Sequence, residues 1–151
     1  MRACSILAVA SCLVWLDACG GTPAEGVAPA SPQPDKARLY VYRDATTYGS
    51  PVWTAVSLNR MKFGVVAPGT VFYGDVAPGT YEVEVRSDKL YPDQFKTVAL
   101  APGSTIFVEI QDQPAWDKSG FGRVGTTFVV AIVNDPAIAR AQMSRLRLIP
   151  R

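Results

Sequence analysis

Histidine is absent from all 151 residues of this chain. That excludes Ser-His-Asp and Cys-His hydrolysis, together with imidazole-bound zinc, copper and iron sites. Cysteine is nearly as scarce: Cys4, Cys12 and Cys19 stand near the start and none follows. Residues 20–151 therefore form no disulfide among themselves and offer no thiolate nucleophile or iron–sulfur ligand. No P-loop, dinucleotide-binding glycine fingerprint or EF-hand loop occurs. Ser87-Asp88-Lys89 lacks the Ser-x-x-Lys spacing of a serine–lysine pair. Charge is near balance, 15 basic against 13 acidic residues for a net +2, too little to draw a nucleic-acid partner. A helix crossing a bilayer needs roughly 20 apolar residues. The apolar run here, Ile6 to Leu16, has eleven residues.

That run has the length of the apolar core of an export signal and follows Arg2, so residues before the cleavage point stay out of fold reasoning. Its end, Leu16-Asp17-Ala18-Cys19, resembles the lipobox of bacterial lipoproteins, with a branched aliphatic residue three before the cysteine and a small residue directly before it. Asp17 departs from that pattern. The resemblance implies that residues 1–18 are a lipoprotein signal peptide and that Cys19 is lipidated and becomes the first mature residue. A lone cysteine in a disulfide-permissive compartment is then accounted for. Each buried acyl CH₂ is worth about 0.8 kcal/mol and one chain binds only marginally, whereas a multi-chain anchor holds permanently. Gly20 rather than Asp after the cysteine implies, by lipoprotein sorting, the outer membrane facing the periplasm in a Gram-negative cell. Two alternatives stay open: ordinary secretory cleavage after Gly20, and an uncleaved N-terminal anchor.

From Gly20 to Asp35 the chain reads GGTPAEGVAPASPQPD, with four prolines and three glycines. Such a stretch buries too little to offset its ordering entropy. Residues 19–36 thus read as a lipidated cysteine plus tether, with a reach of about 20–25 Å as a coil and about 50 Å in polyproline form. The alternative is an irregular arm lying on the domain. Residues 37–151, about 115 in number, fit one domain.

Ala-Pro-Gly followed by Thr or Ser occurs at Ala67–Thr70, Ala77–Thr80 and Ala101–Ser104. Proline presets the first central position of a type II turn and glycine supplies the positive φ of the second. The runs after them alternate, as in Tyr81-Glu82-Val83-Glu84-Val85-Arg86 and Thr105–Ile110. Further strands are expected at 38–43, 52–58, 62–66, 71–76, 95–100 and 127–133, with a hairpin turn at Asn59-Arg60. The continuously apolar 128–133 run predicts a strand buried on both faces or covered by a helix. Asn134-Asp135-Pro136 is a helix start, predicting a helix over 136–144 with Ala139 and Met143 inward. Leu146 and Leu148 either continue it or form a short last strand. The fold expected is mainly all-β, an antiparallel sandwich or small barrel of seven to nine short strands with one short C-terminal helix.

Leu39-Tyr40-Val41-Tyr42-Arg43, then Val56-Ser57-Leu58-Asn59 with Phe63-Gly64, then Val76-Ala77-Pro78-Gly79-Thr80-Tyr81-Glu82-Val83, follow one order. That order resembles uncharacterised bacterial lipoproteins with domain of unknown function (DUF) 2846, over nearly all of residues 37–149. The Pro-Gly-Thr-Tyr element is also similar to PEGA and transthyretin-like sandwiches. The resemblance implies architecture and address and brings no activity.

Carboxylates are the catalytic groups left. Paired acids about 5–9.5 Å apart serve glycosidases, but Glu82 and Glu84 read as a solvent-facing strand surface, and Asp44 and Asp75 as strand-end caps. Tyr40, Tyr42, Trp53, Tyr73 and Tyr81 read as core or cross-strand aromatics. Arg140, Arg145, Arg147 and Arg151 crowd the C-terminus, either as a solvated face or as a contact for anionic headgroups or another acidic surface. Residues 113–125 read as a long glycine-rich loop, with Trp116, Phe121 and Arg123 as a partner-binding set or with Trp116 folded back to seal the sandwich. The chain is expected to be a non-catalytic binding or scaffolding module of the cell envelope, with no cofactor, metal or nucleic acid. Its expected partners are the membrane, through its lipid, and an envelope protein or cell-wall component. A structural subunit of an envelope or secretion machine is the alternative, and a carboxylate-based carbohydrate-active enzyme a further one.

Overall fold

The computed structural model describes residues 31–45, 51–85, 93–116, 119–120 and 122–151, apart from the side chains of Trp116, Arg123 and Val124. Leu16, Ala18 and Cys19, the tether up to residue 30, and Phe121 lie outside the described residues.

Among the described residues, nine strands and one helix follow in the order β1 (Ala37–Arg43), β2 (Thr54–Leu58), β3 (Met61–Val66), β4 (Thr70–Val76), β5 (Gly79–Val85), β6 (Phe95–Leu100), β7 (Thr105–Trp116), β8 (Arg123–Val133), α1 (Pro136–Met143) and β9 (Arg147–Leu148). They form a sandwich of two open sheets, β8-β7-β1-β4-β9 and β3-β2-β5-β6. The β1–β7 and β4–β9 ladders are parallel and the others antiparallel.

All three Ala-Pro-Gly segments lie where the chain leaves one sheet for the other, between β3 and β4, β4 and β5, and β6 and β7. Those entering the five-stranded sheet are the expected tight turns, with Gly69 and Gly103 at φ 70 and 72 and bonds from the Thr70 and Ser104 amides to the Ala67 and Ala101 carbonyls. The return at Ala77–Thr80 differs. Gly79 sits at φ 154 and is already paired with Leu100 inside β5, while the Tyr81 hydroxyl donates to the Ala77 carbonyl at 2.9 Å. Asn59 and Arg60 both take positive φ, 49 and 67, as a two-residue hairpin loop requires.

The core between the sheets joins Leu39, Val41, Val56, Phe63, Phe72, Val83, Val108, Ile110 and Phe128. Its tightest point is a reciprocal exchange between β3 and β4. A Cβ on Gly64 would lie 2.5 Å from the Phe72 ring, and one on Gly74 would lie 2.8 Å from the Phe63 ring. Each ring therefore occupies the space the opposite glycine leaves empty, with centroids 5.7 Å apart. The register of β2 against β3 steps from Val56↔Gly64 to Ser57↔Lys62. Phe63 is the extra residue, and this bulge lets Phe63 and Gly64 both turn to the core.

On the outer face of the larger sheet a second cluster holds Tyr40, Tyr42, Val71 and Phe107 beneath Ala139, Met143 and Leu146. The helix starts as expected: Asp135 accepts from the Ala137 and Ile138 amides, with Pro136 in the first turn, and Ala139 and Met143 face inward. Val133 at the end of β8 packs against this cluster, and the chain after the helix forms the short last strand β9. β1, with all seven residues buried, is thus sandwiched on both faces.

Gly64→Val is expected to destabilise the domain by about 1–3 kcal/mol, the usual cost of overpacking a filled core. Chemical denaturation of Gly64→Val in the parent and in a Phe72→Leu background, where the cost should shrink because the ring is gone, checks that the cost comes from the Phe72 ring.

Candidate functional site

Alternation along β1 sends Ala37, Leu39 and Val41 into the inter-sheet core, and the next residue in that phase is Arg43. In β7 the inward phase of Val108 and Ile110 continues to Asp112. The two charges therefore meet inside one end of the sandwich. Arg43 Nη2 donates to Asp112 Oδ2 at 2.8 Å, with side-chain exposures of 1% and 3%. The guanidinium lies 4.7 Å from the centre of the Phe128 ring and donates through Nη1 to the Val52 carbonyl at 2.6 Å.

Those bonds fix two pieces of chain that share no ladder: the base of the β7–β8 hairpin and the segment entering β2. Trp53 follows Val52 directly. It precedes the inward Thr54, Val56 and Leu58, so it falls on the outward phase and is 59% exposed. This corrects its reading as a core or cross-strand aromatic. Val52 beside it is exposed as well.

The segment 113–125 is mostly strand rather than a loop. β7 and β8 stay paired from Phe107↔Val133 to Trp116↔Arg123, with an irregularity at Ala115/Trp116. Pairing of β7 with β1 ends at Tyr42↔Glu109, so the hairpin runs on past its neighbour. Trp116 and Arg123 are therefore cross-strand partners at the end of that hairpin, and Phe121 lies outside the described residues. Where β1 departs, a cleft of about 250 Å³ opens, lined by Arg43, Asp44, Glu109, Gln111, Asp112 and Gln113.

Glu84 and Asp75 differ from their expected roles, and Asp44 does not. Glu84 is 7% exposed, because it lies on an interior strand between Ser57 and Phe95. Asp44 accepts from the Ala45 amide as a local cap. Asp75 instead takes a two-pronged bond from Arg38, Nε to Oδ1 at 2.7 Å and Nη2 to Oδ2 at 2.8 Å. That bond holds the Asp75 carboxyl below the usual carboxylate range, against partial desolvation. Arg38 is raised by the same bond. The Tyr42 hydroxyl donates to Gln142 Oε1 at 2.7 Å. Burial first, then the charges of Glu109 and Asp44, push its pKa up, so it remains a donor.

No protein-family model, curated protein or solved structure matches this chain. The reading of this end rests on its own residues. The arrangement presents an exposed indole, a polar cleft and a protruding hairpin, all braced by one buried guanidinium.

Removing one charge, as in Asp112→Ala, is expected to cost about 3–5 kcal/mol by stranding the buried guanidinium, while Arg43→Met with Asp112→Leu recovers most of it. Urea unfolding of the three proteins checks this. Asp75 contributes with a definite sign. Its folded pKa lies below the unfolded value of about 3.9, so its contribution is full above that value and is lost as pH falls through the folded pKa. The stability gap between the parent and Asp75→Asn should therefore hold at neutral pH and close below about pH 4. A gap unchanged into strong acid overturns the assignment.

Proposed function

We propose that this chain is a lipid-anchored module of a bacterial cell envelope that acts by binding, not catalysis, through the Trp53 end of its sandwich. The lipobox-like Leu16-Asp17-Ala18-Cys19 and the proline-rich stretch behind it support the anchor and tether. The resemblance to the DUF 2846 lipoproteins is consistent with a two-sheet domain at such an address.

The observation that carries the binding surface is the support beneath Trp53. Large aromatic residues anchored on rigid backbone dominate interface energetics, and preorganisation lowers the ordering cost of association. Here the carbonyl next to the exposed indole is gripped by a guanidinium that also grips the hairpin base. The cleft beside them offers carboxylates and amides, which suit the hydroxyls of a wall polymer or the polar rim of a protein. The partner is thus an envelope protein or a cell-wall component. Trp116 and Arg123, at the end of the same hairpin, remain part of the proposed contact, together with Phe121, which lies outside the described residues.

Material extracted from membranes is expected to begin at Cys19 and carry acyl mass. An unmodified thiol on soluble protein ends the anchoring half of the proposal. Crosslinking in intact envelopes, alongside sedimentation with isolated wall polymer, tests the binding half. Trp53→Ala should lower capture at least about thirtyfold, in keeping with a hot-spot residue, and should change stability by no more than about 0.5 kcal/mol. Undiminished capture by Trp53→Ala removes this end from the model.

A further inference from the structure

The β2–β3 hairpin closes on Asn59 and Arg60 and presents a short tip that is both cationic and apolar. Arg60, Met61 and Lys62 follow one another, and all three are exposed. At 73% exposure Met61 is the most open large apolar side chain among the described residues. Neither cation forms an ion pair among them. The tip is held firmly. Asn59 and Arg60 take the left-handed φ values of a tight loop, 49 and 67. Asn59 also clamps the loop to β5, its amide donating to the Glu82 carbonyl at 2.9 Å and its Oδ1 accepting from the Glu82 amide at 2.8 Å. Met61 therefore projects from fixed backbone.

The tip also has a definite place in the sandwich. The Phe63 ring fills the space over Gly74, and Gly74 pairs with Leu39. Met61 stands two residues before Phe63, and Ala37 two before Leu39. The tip thus lies at the end where the chain enters the domain. Two turns reach that end and show Ala77, Pro78, Ala101 and Pro102, all exposed and uncharged. Its acids are engaged or withdrawn. Asp75 is held by Arg38, Asp35 lies 3.8 Å from Lys36, Asp135 accepts from the helix amides, and Glu82 is half-buried on β5.

A basic tip with one apolar residue between its charges matches the surface of an anionic bilayer, where the cations meet phosphate and the thioether reaches the upper acyl region. An acidic protein would answer the two charges and leave Met61 without a role. The tether favours the lipid as well, because a coil reach of about 20–25 Å keeps the entry end of the domain beside the bilayer. We infer that the Arg60-Met61-Lys62 tip docks on the anionic lipid surface to which the chain is anchored. The inference rests on the anchored reading above and adds an orientation to it. With the entry end on the lipid, the Trp53 end, at the far end of β1, points away from it.

From Cys19 onward the chain holds two methionines, Met61 and Met143, and Met143 is 7% exposed. Replacing both by photo-methionine puts a light-activated crosslinker at the tip and a buried control on the helix. The membrane-extracted full chain is reconstituted on phosphatidylcholine vesicles and on vesicles that also contain phosphatidylglycerol. It is then irradiated, and its peptides are weighed for lipid adducts. The expected result is several-fold more adduct at 61 on the anionic vesicles and none at 143. The difference should vanish in about 0.5 M salt, where screening is short-ranged. Arg60→Asn, which tolerates positive φ, and Lys62→Gln should each lower the anionic preference roughly fivefold and leave the unfolding midpoint unchanged.

Equal adduct at 61 on both vesicle types overturns the docking tip, as does an anionic preference that survives removal of both charges. Vesicle-bound protein with no lipid adduct at 61 also overturns it and leaves the anchor standing. Adduct to soluble polyglutamate but not to anionic vesicles overturns the lipid as occupant. Failure to associate with phosphatidylcholine vesicles, joined to charge-dependent adduct on the anionic ones, counts against the anchor while supporting the tip.

Discussion

A full positive charge inside the mouth of a β-sandwich is the constraint around which this domain is arranged. Arg43 is the last residue of a strand covered on both faces, so its guanidinium cannot reach water. Burying it alone would be prohibitive, and burying it with a partner is tolerable only when the geometry is good. Asp112 therefore has to lie in the inward phase of β7, and the Val52 carbonyl has to come within reach. Meeting both conditions ties the β7–β8 hairpin to the start of β2. The charge contributes specificity of arrangement more than net stability, and what it arranges is the end that carries the exposed indole.

The rest of the fold solves a different problem, how to bring two open sheets close. Phe63 and Phe72 each sit over a glycine of the opposite sheet. That packing needs a bulge in β3, since a regular strand would turn Phe63 outward when Gly64 faces in. The Ala-Pro-Gly segments then carry the chain across the gap. Two are tight turns with glycine at φ near 70, and the third, returning in the other sense, is not. One tripeptide serves both crossings because glycine accepts either backbone geometry.

Local signals made most of the strands, the hairpin at Asn59-Arg60 and the capped helix legible, because alternation, turn chemistry and Asp135-Pro136 act within a few residues. Three features were not legible for physical reasons. The β7–β8 extension was hidden because Pro114 and three glycines read as loop, whereas a hairpin edge tolerates them. The burial of Glu84 depends on which strands flank β5, a property of topology. The outward turn of Trp53 depends on β2 starting at Thr54, one residue inside the boundary uncertainty of any sequence reading. The Arg43–Asp112 pair did leave a signal: opposite charges, each two residues beyond an inward aliphatic, at the end of β1 and within the β7 that runs on past it.

The tether and the Trp53 end have a consistent spatial logic. The chain enters the domain at Ala37, and Arg43 stands six residues along the same strand, about 20 Å away at the usual rise. The braced Trp53 end is therefore the end farther from the tether. A tether alone leaves orientation free. An indole at the far end stays open to a partner over many of those orientations, so binding need not wait for the module to turn.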